Sequence, residues 1–273
     1  MDIRRLYKIN GFVKTDVGLV RHRNEDNFLL GVNWNPDSGP QMEASYSMVN
    51  ELQWNCFCIF DGMGGADRGD LASRLAAQTA KEYVMKLKEI KECTKVDQIM
   101  QKIFLEANNR IVKERQNVSV CGTTGTVCVT DGIMMKIYHA GDSRAYLYRE
   151  GQLYRLTKDQ TVAQLKFDSG VYSSIQDASE SEHHQLTEFI GRDETMKYFR
   201  AVEGSWIDFR VGDQVLLCSD GLYEQCRPDQ ISSILQQNLS QQEKLEKMMR
   251  IVFENGARDN VTCMLLEKQE END

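Results

Sequence analysis

Short apolar runs, broken by Gly, Asn and Asp, alternate along the chain with longer stretches in which apolar residues recur every three or four positions. The short runs predict strands over 12–18, 26–32, 54–60, 122–130, 133–140, 144–149, 152–156, 208–218 and 261–267. The longer period predicts helices over 67–91, 95–116, 229–237 and 241–255. Leu71, Leu75, Ala76, Ala80, Tyr83, Val84 and Leu87 share one face of the first helix. Val96, Ile99, Ile103, Phe104, Ala107 and Ile111 share one face of the second. Asp131-Gly132 and Glu150-Gly151 are two-residue turn signals that join neighbouring strands into hairpins. Segment 33–52 is polar and interrupted by Pro36 and Pro40, and it reads as a surface loop between two strands.

The order of elements is strands, two helices, a run of hairpin-linked strands, then helices and a last strand. Hairpins imply a mainly antiparallel sheet, with helices covering outer faces, so the class is α+β rather than a doubly wound fold. The sequence has no Pro- or Ser-rich linker and no internal repeat, so 1–273 reads as one domain. Hydrophobic residues make up 41% and charged residues 27%, enough for a sizeable core. The net charge of −8 argues against nucleic acid and anionic membrane as partners, since both need a cationic surface. It leaves a phosphate ligand open, because bound cations reverse the sign locally. No apolar run reaches about 18 residues, and the first residues lack the apolar core of a secretory signal. None of the eight cysteines forms a CxxC pair, and most lie in or beside strand-like runs. They read as buried free thiols, which makes the cytoplasm the expected compartment.

Acids sit where strands end. Asp61 follows "FCIF", Asp220 follows "VLLCS" and Asp142 follows "IYHAG". Asp259 precedes the last strand, and Glu25 and Asp26 precede an early one. A lone Asp-Gly is usually a turn. Five such stretches converging on one cleft would repel one another severely without cations. Carboxylate and carbonyl oxygens suit Mg²⁺ or Mn²⁺, and the Gly62 carbonyl is a further candidate ligand. The histidines at 22, 139, 183 and 184 build no zinc site: His139 reads as structural, and His183 and His184 as solvated.

Eight motifs in order, "RHRNEDN" (21–27), "DGMGG" (61–65), "GTTGT" (122–126), "GDSRAYL" (141–147), "LTKDQ" (156–160), "LTEFIG" (186–191), "CSDGL" (218–222) and "RDNVT" (258–262), carry a resemblance. The chain resembles the metal-dependent serine/threonine protein phosphatases, the PPM or type 2C family, in their bacterial form. The resemblance implies a four-layer sandwich of two stacked antiparallel sheets flanked by helix pairs. It implies that Asp61 bridges two metal ions, Mn²⁺ or Mg²⁺. Asp220 and Asp259 complete the first site, and the Gly62 carbonyl helps hold the second. Glu25 and Asp26 act partly through water. Asp142 matches the acid of a third, weaker site, and Arg21 matches the arginine that grips the phosphate. Arg21 is preferred to Arg23 because it lies four residues before Glu25, as in the family motif. The implied reaction is direct hydrolysis of phosphoserine and phosphothreonine on proteins by a metal-activated water, whose pKa the ions lower from ~15.7 toward ~7. The implied partners are phosphorylated proteins and a serine/threonine kinase whose work the enzyme reverses.

Three departures from the family pattern stand out. Met63 occupies the place where eukaryotic members carry a histidine proposed as general acid, so protonation of the leaving group falls to water. Gln160 ends "LTKDQ" where histidine is usual. Segment 161–185, the family's variable flap, lacks the usual run of acidic and helical residues. A nucleotide-binding reading of "DGMGG" fails on spacing, because Asp67 stands where a third glycine is needed and no GxxxxGK[ST] loop exists. A non-catalytic phosphoprotein binder and an enzyme for a small phosphorylated molecule stay open on the sequence.

Overall fold

The computed structural model describes residues 7–49, 54–64, 68–115, 121–192 and 201–270. The first strands are β1 (Tyr7–Asp16), β2 (Asp26–Leu30), β3 (Asn33–Trp34), β4 (Gln41–Val49) and β5 (Asn55–Met63). Helices α1 (Gly69–Lys88) and α2 (Cys93–Glu114) follow. After them come β6 (Gly122–Thr123), β7 (Gly125–Thr130), β8 (Met134–Ala140), β9 (Arg144–Arg149) and β10 (Gln152–Arg155). Two short helices, α3 (Val162–Asp168) and α4 (Glu180–His184), precede β11 (Val202–Glu203), β12 (Ile207–Asp208) and β13 (Gln214–Cys218). Helices α5 (Asp220–Tyr223), α6 (Pro228–Leu235) and α7 (Gln241–Glu254) lead into β14 (Val261–Glu270).

The strands form two antiparallel sheets. The first has the order β10-β9-β13-β14-β1-β4, and the second β11-β8-β7-β5-β2-β3, with β12 on β8 and β6 on β5. Strand alternation then sorts side chains into three apolar layers. In β5, Phe57 and Ile59 point between the sheets, while Cys56, Cys58 and Phe60 point at α1 and α2. In β14, Met264 and Leu266 point between the sheets, while Cys263 and Leu265 point at α5, α6 and α7. Both faces of each sheet are therefore covered, and the order helices–sheet–sheet–helices is the four-layer α+β sandwich expected. The strands read as continuous apolar runs because each is buried on both faces.

The structure corrects several sequence expectations. Segment 33–52 is not a loop: β3 pairs with β2, and β4 pairs with β1 over nine residues. Its alternation of Met42, Ala44, Tyr46 and Met48 with polar residues marks an edge strand, which the two prolines mask. The expected strand 208–218 is broken between β12 and β13 at a turn with Gly212 at φ 87°. The expected strand 122–130 is interrupted at Thr124. Segment 161–185 carries helix after all. Thr161 caps α3 by accepting from Gln164 N at 3.2 Å, and Ser179 caps α4 in a reciprocal pair with Glu182. That Ser-x-x-Glu box is a helix-start signal short enough to be overlooked. Residues 50–52, Gly65, Asp67 and residue 116 of the expected elements lie outside the described residues.

Phe57 is fully buried between the sheets, edge-on to Tyr46 at 5.2 Å. Phe57→Ala is expected to cost about 3–5 kcal/mol of stability, read as a lower urea midpoint with an unchanged slope. A loss below about 1 kcal/mol would show that the inter-sheet layer is loosely packed there.

Candidate active site

The acids come from both sheets and meet at one end of the sandwich. The second sheet supplies Asp26 at the start of β2, Asp61 within β5 and Asp142 just after β8. The first supplies Asp220 after β13 and Asp259 before β14. Antiparallel register sets Asp26 directly opposite Asp61. A cleft of about 850 Å³ is lined by Arg21, Glu25, Asp61, Gly62, Asp220 and Asp259, and also by Arg23, Met63, His184 and Arg258. Asp26 and Asp142 are outside that lining, buried beneath it at 1% and 6% exposure, yet their charges reach Asp61 and Asp220.

Buried hydroxyls and amides fix the acid-bearing loops. Thr124 Oγ1 accepts from Asp61 N at 3.0 Å, Thr124 N donates to Asp61 O at 2.8 Å, and Thr123 Oγ1 donates to the same carbonyl at 2.8 Å. Thr124 Oγ1 also bonds Ser143 Oγ at 2.7 Å, which couples the Asp61 loop to the Asp142 loop. Thus "GTTGT" serves the site by fixing the backbone of Asp61. Gln160 closes the Asp142 turn: its Oε1 accepts from Gly141 N at 2.6 Å, and its own N–H donates to Gly141 O at 3.0 Å. Ser219 Oγ donates to Asp26 Oδ2 at 2.8 Å and accepts from Thr262 N at 2.9 Å, which bridges the two sheets beneath the cleft.

Asn260 clamps the remaining wall. Its Oδ1 accepts from Glu25 N at 2.8 Å, and its Nδ2 donates to the carbonyls of Val17 and Arg23, both at 2.9 Å. Gly18, at φ 78°, packs so tightly that a Cβ there would lie 2.4 Å from Asp259 O. Arg21 Nη2 donates to Asp259 Oδ2 at 2.7 Å, so the two residues assigned to phosphate and metal are already joined.

Crowding shows in the electrostatics. Burial, then the Asp220, Asp26, Asp142 and Asp259 charges, hold Asp61 well above the usual carboxylate range. Burial, then Asp142 and Asp259, do the same to Asp220. Burial pushes Asp26 up to about 7, against hydrogen bonds from Thr262 and Ser219. Burial and Asp159 push Asp142 up to about 7.

These residues suit hard divalent cations. The donor set is all oxygen. Asp26 Oδ1 is buried with no hydrogen-bond partner, which is costly unless a cation or its water fills the gap. Gly62 lines a tight cradle, where a Cβ would lie 2.2 Å from Gly69 O and 2.5 Å from Glu25 O.

Sequence reasoning missed four residues here. His184 is exposed, as expected, but it also lines the cleft, where the capped α4 carries its Nδ1 to 3.4 Å from Glu224 Oε1. One ligand atom each from His184, Asp220 and Glu224 lies within 4.8 Å of the others. Asn260 and Arg258 flank Asp259, and only their position beside that acid could have singled them out. Glu224 lies four residues after Asp220, one helical turn away, which was its available signal. His139 is structural as expected, with Nε2 2.9 Å from Lys158 O.

The family model described as Protein phosphatase 2C matches residues 20–166. The serine/threonine phosphatase stp of Listeria monocytogenes is 26% identical, across 93% of this chain and 94% of its own. Among solved structures, the Mycobacterium tuberculosis serine/threonine phosphatase PstP/Ppp superposes with a TM-score of 0.77 at 24% identity, covering 96% of this chain and 100% of that one. The catalytic domain of PstP in complex with 2 manganese ions gives a TM-score of 0.75 at 24% identity, covering 96% and 99%. These likenesses define the class as a phosphatase of the two-sheet sandwich fold. The chain belongs to the protein phosphatase 2C family, whose members are metal-dependent hydrolases.

An acid whose pKa is raised by folding binds more protons folded than unfolded, so stability falls as pH rises through its range. Asp26 and Asp142 put that window between about 4 and about 7. Carboxylates lowered by their partners, such as Glu82 beside Arg110, change below about 4.5, outside it. In EDTA, Tm is expected to fall between about pH 5 and 7.5, and saturating Mn²⁺ is expected to abolish the fall. A metal-free Tm that holds or rises over that range would mean the acids are not crowded in the folded chain.

Proposed function

We propose that this chain hydrolyses phosphoserine and phosphothreonine on proteins, using two Mn²⁺ or Mg²⁺ ions in the acid-lined cleft, and that it opposes a serine/threonine kinase. The observation that carries the reading is the meeting of carboxylates from both sheets in one cleft with Arg21 at its rim. We assign Asp61 to both ions, Asp220 and Asp259 to the first, and the Gly62 carbonyl to the second, with Glu25 and Asp26 acting partly through water. When bound, such ions neutralise the phosphate's charge and make water acidic enough to attack near neutral pH.

The chain's own groups supply the rest. Arg21 is held by Asp259 through one N–H, which leaves its other donors to grip phosphate oxygens. Met63 lines the cleft but has no proton to give, so the leaving oxygen takes its proton from water. No cysteine lines the cleft among the described residues, and burial pushes the Cys128 and Cys218 thiols up to about 12. Thiols held neutral in this way are poor nucleophiles, which favours direct hydrolysis without a phosphoenzyme. The reading takes 1–273 as a single catalytic domain. All eight cysteines are unpaired and seven are buried, in keeping with a reducing, cytoplasmic setting. No helix among the described residues is long and apolar enough to cross a membrane.

The test is phosphate release from a phosphothreonine peptide. Turnover is expected with Mn²⁺ and none with EDTA, and Asp61→Asn is expected to lower kcat by at least about 100-fold while the protein stays folded. Undiminished turnover after metal removal would overturn the two-ion reading, and no turnover with any metal would favour a non-catalytic binder.

We also assign Asp142 to a third, weaker ion. Asp142→Ala is expected to leave the tight ions bound and remove the low-affinity phase of the Mn²⁺ activation curve. An unchanged curve with a lower Tm would make Asp142 a purely structural turn residue.

A further inference from the structure

Three arginines line the cleft: Arg21, Arg23 and Arg258. Arg21 is matched by Asp259 at 2.7 Å, so much of its charge is already answered by a carboxylate of the metal set. Arg258 stands differently. Its side chain is exposed in the cleft wall and makes no hydrogen bond or ion pair with any described residue.

Its backbone, by contrast, is held on both sides. Ala257 is fully buried at φ 36°, a left-handed conformation that is unfavourable for a non-glycine residue. It is kept there by its own N–H on Val252 O at 2.9 Å and by Leu19 N–H on its carbonyl at 2.8 Å. On the other side, Asp259 and Asn260 are fixed to the 17–25 segment through Arg21, Val17, Arg23 and Glu25. A strained, doubly anchored backbone thus holds an unspent guanidinium over the cleft that takes the phosphorylated residue. Arginine suits such a place because its planar donors match an oxyanion in two contacts at once.

We propose that Arg258 is a second oxyanion-binding residue, gripping the phosphorylated polypeptide beside Arg21. This rests on the phosphatase reading above and adds a determinant of substrate affinity to it. The oxyanion has two sources, the reacting phosphoryl group or a carboxylate of a residue flanking it, and one set of measurements separates them.

Wild-type protein, Arg258→Ala and Arg258→Lys are compared with Mn²⁺ on three substrates. These are p-nitrophenyl phosphate, a phosphothreonine peptide flanked by Asp and Glu, and the same peptide flanked by Ala. Inhibition by inorganic phosphate and Tm are measured alongside. Arg258→Ala is expected to raise KM roughly tenfold with little change in Tm, and Lys, a point charge, to restore it only in part. A rise for all three substrates with matching loss of phosphate inhibition identifies the phosphoryl group. A rise confined to the acidic peptide identifies the flanking carboxylate. Unchanged KM and phosphate inhibition throughout, with or without a lower Tm, overturns the proposal while leaving the phosphatase reading intact. A wild-type protein that releases no phosphate from any of the three overturns that reading, and the role of Arg258 falls with it.

Discussion

Repulsion among buried carboxylates is the constraint around which this molecule is arranged. Asp26, Asp61, Asp142 and Asp220 are each pushed up by burial and by nearby acids, so a metal-free fold must hold them against their own electrostatics. The apolar layers supply that holding energy. Ile59 and Phe60 lie immediately before Asp61, Leu216 and Leu217 lie just before Asp220, and Val261 and Cys263 follow Asp259. All are essentially inaccessible to solvent. The acids cannot swing apart to relieve the strain, because the strands that carry them are cemented on both faces.

The polar residues around the acids act in the same direction. Thr123, Thr124, Ser143, Ser219, Thr262 and Asn260 are buried, and each spends its hydrogen bonds on a loop that bears an acid. Such a network raises the cost of any alternative loop conformation, since a buried hydroxyl or amide left without a partner is itself expensive. A cation entering this cleft meets oxygens already in place, which lowers the reorganisation that binding would otherwise require.

Much of this was legible in the chain, for a physical reason. One carboxylate at the mouth of an apolar strand reads as a turn, but its recurrence at Asp61, Asp142, Asp220 and Asp259 did not, and the structure brings all four together with Asp26 and Glu25. Antiparallel pairing and outer helices followed from the hairpin signals, while the stacking of two sheets came from the family resemblance. The edge strand β4 was hidden because Pro36 and Pro40 punctuate its approach and its alternation is mild. The helical flap was hidden because α3 and α4 are shorter than any periodicity can reveal, so only their caps marked them. His184 and Arg258 were hidden because their place in the cleft depends on how distant segments meet, which residue type alone does not encode, and the approach of Glu224 to His184 was hidden for the same reason.

The position of β14 has a consequence for the order in which the chain can become an enzyme. It follows every other strand in sequence, yet it lies in the middle of its sheet, between β13 and β1. Until it inserts, the β1–β4 pair and the β13–β9–β10 ribbon have no hydrogen-bonded link within that sheet. Asp259, the Asn260 clamp and the anchor of Arg21 arrive at the same moment, from residues more than 230 positions away along the chain. Contacts of such separation close late, because the loop entropy must be met before they return anything. Asp26 and Asp61, paired across β2 and β5, therefore lack Asp259 and its clamp until β14 inserts. Assembly of that sheet and completion of the acid cluster thus become a single event.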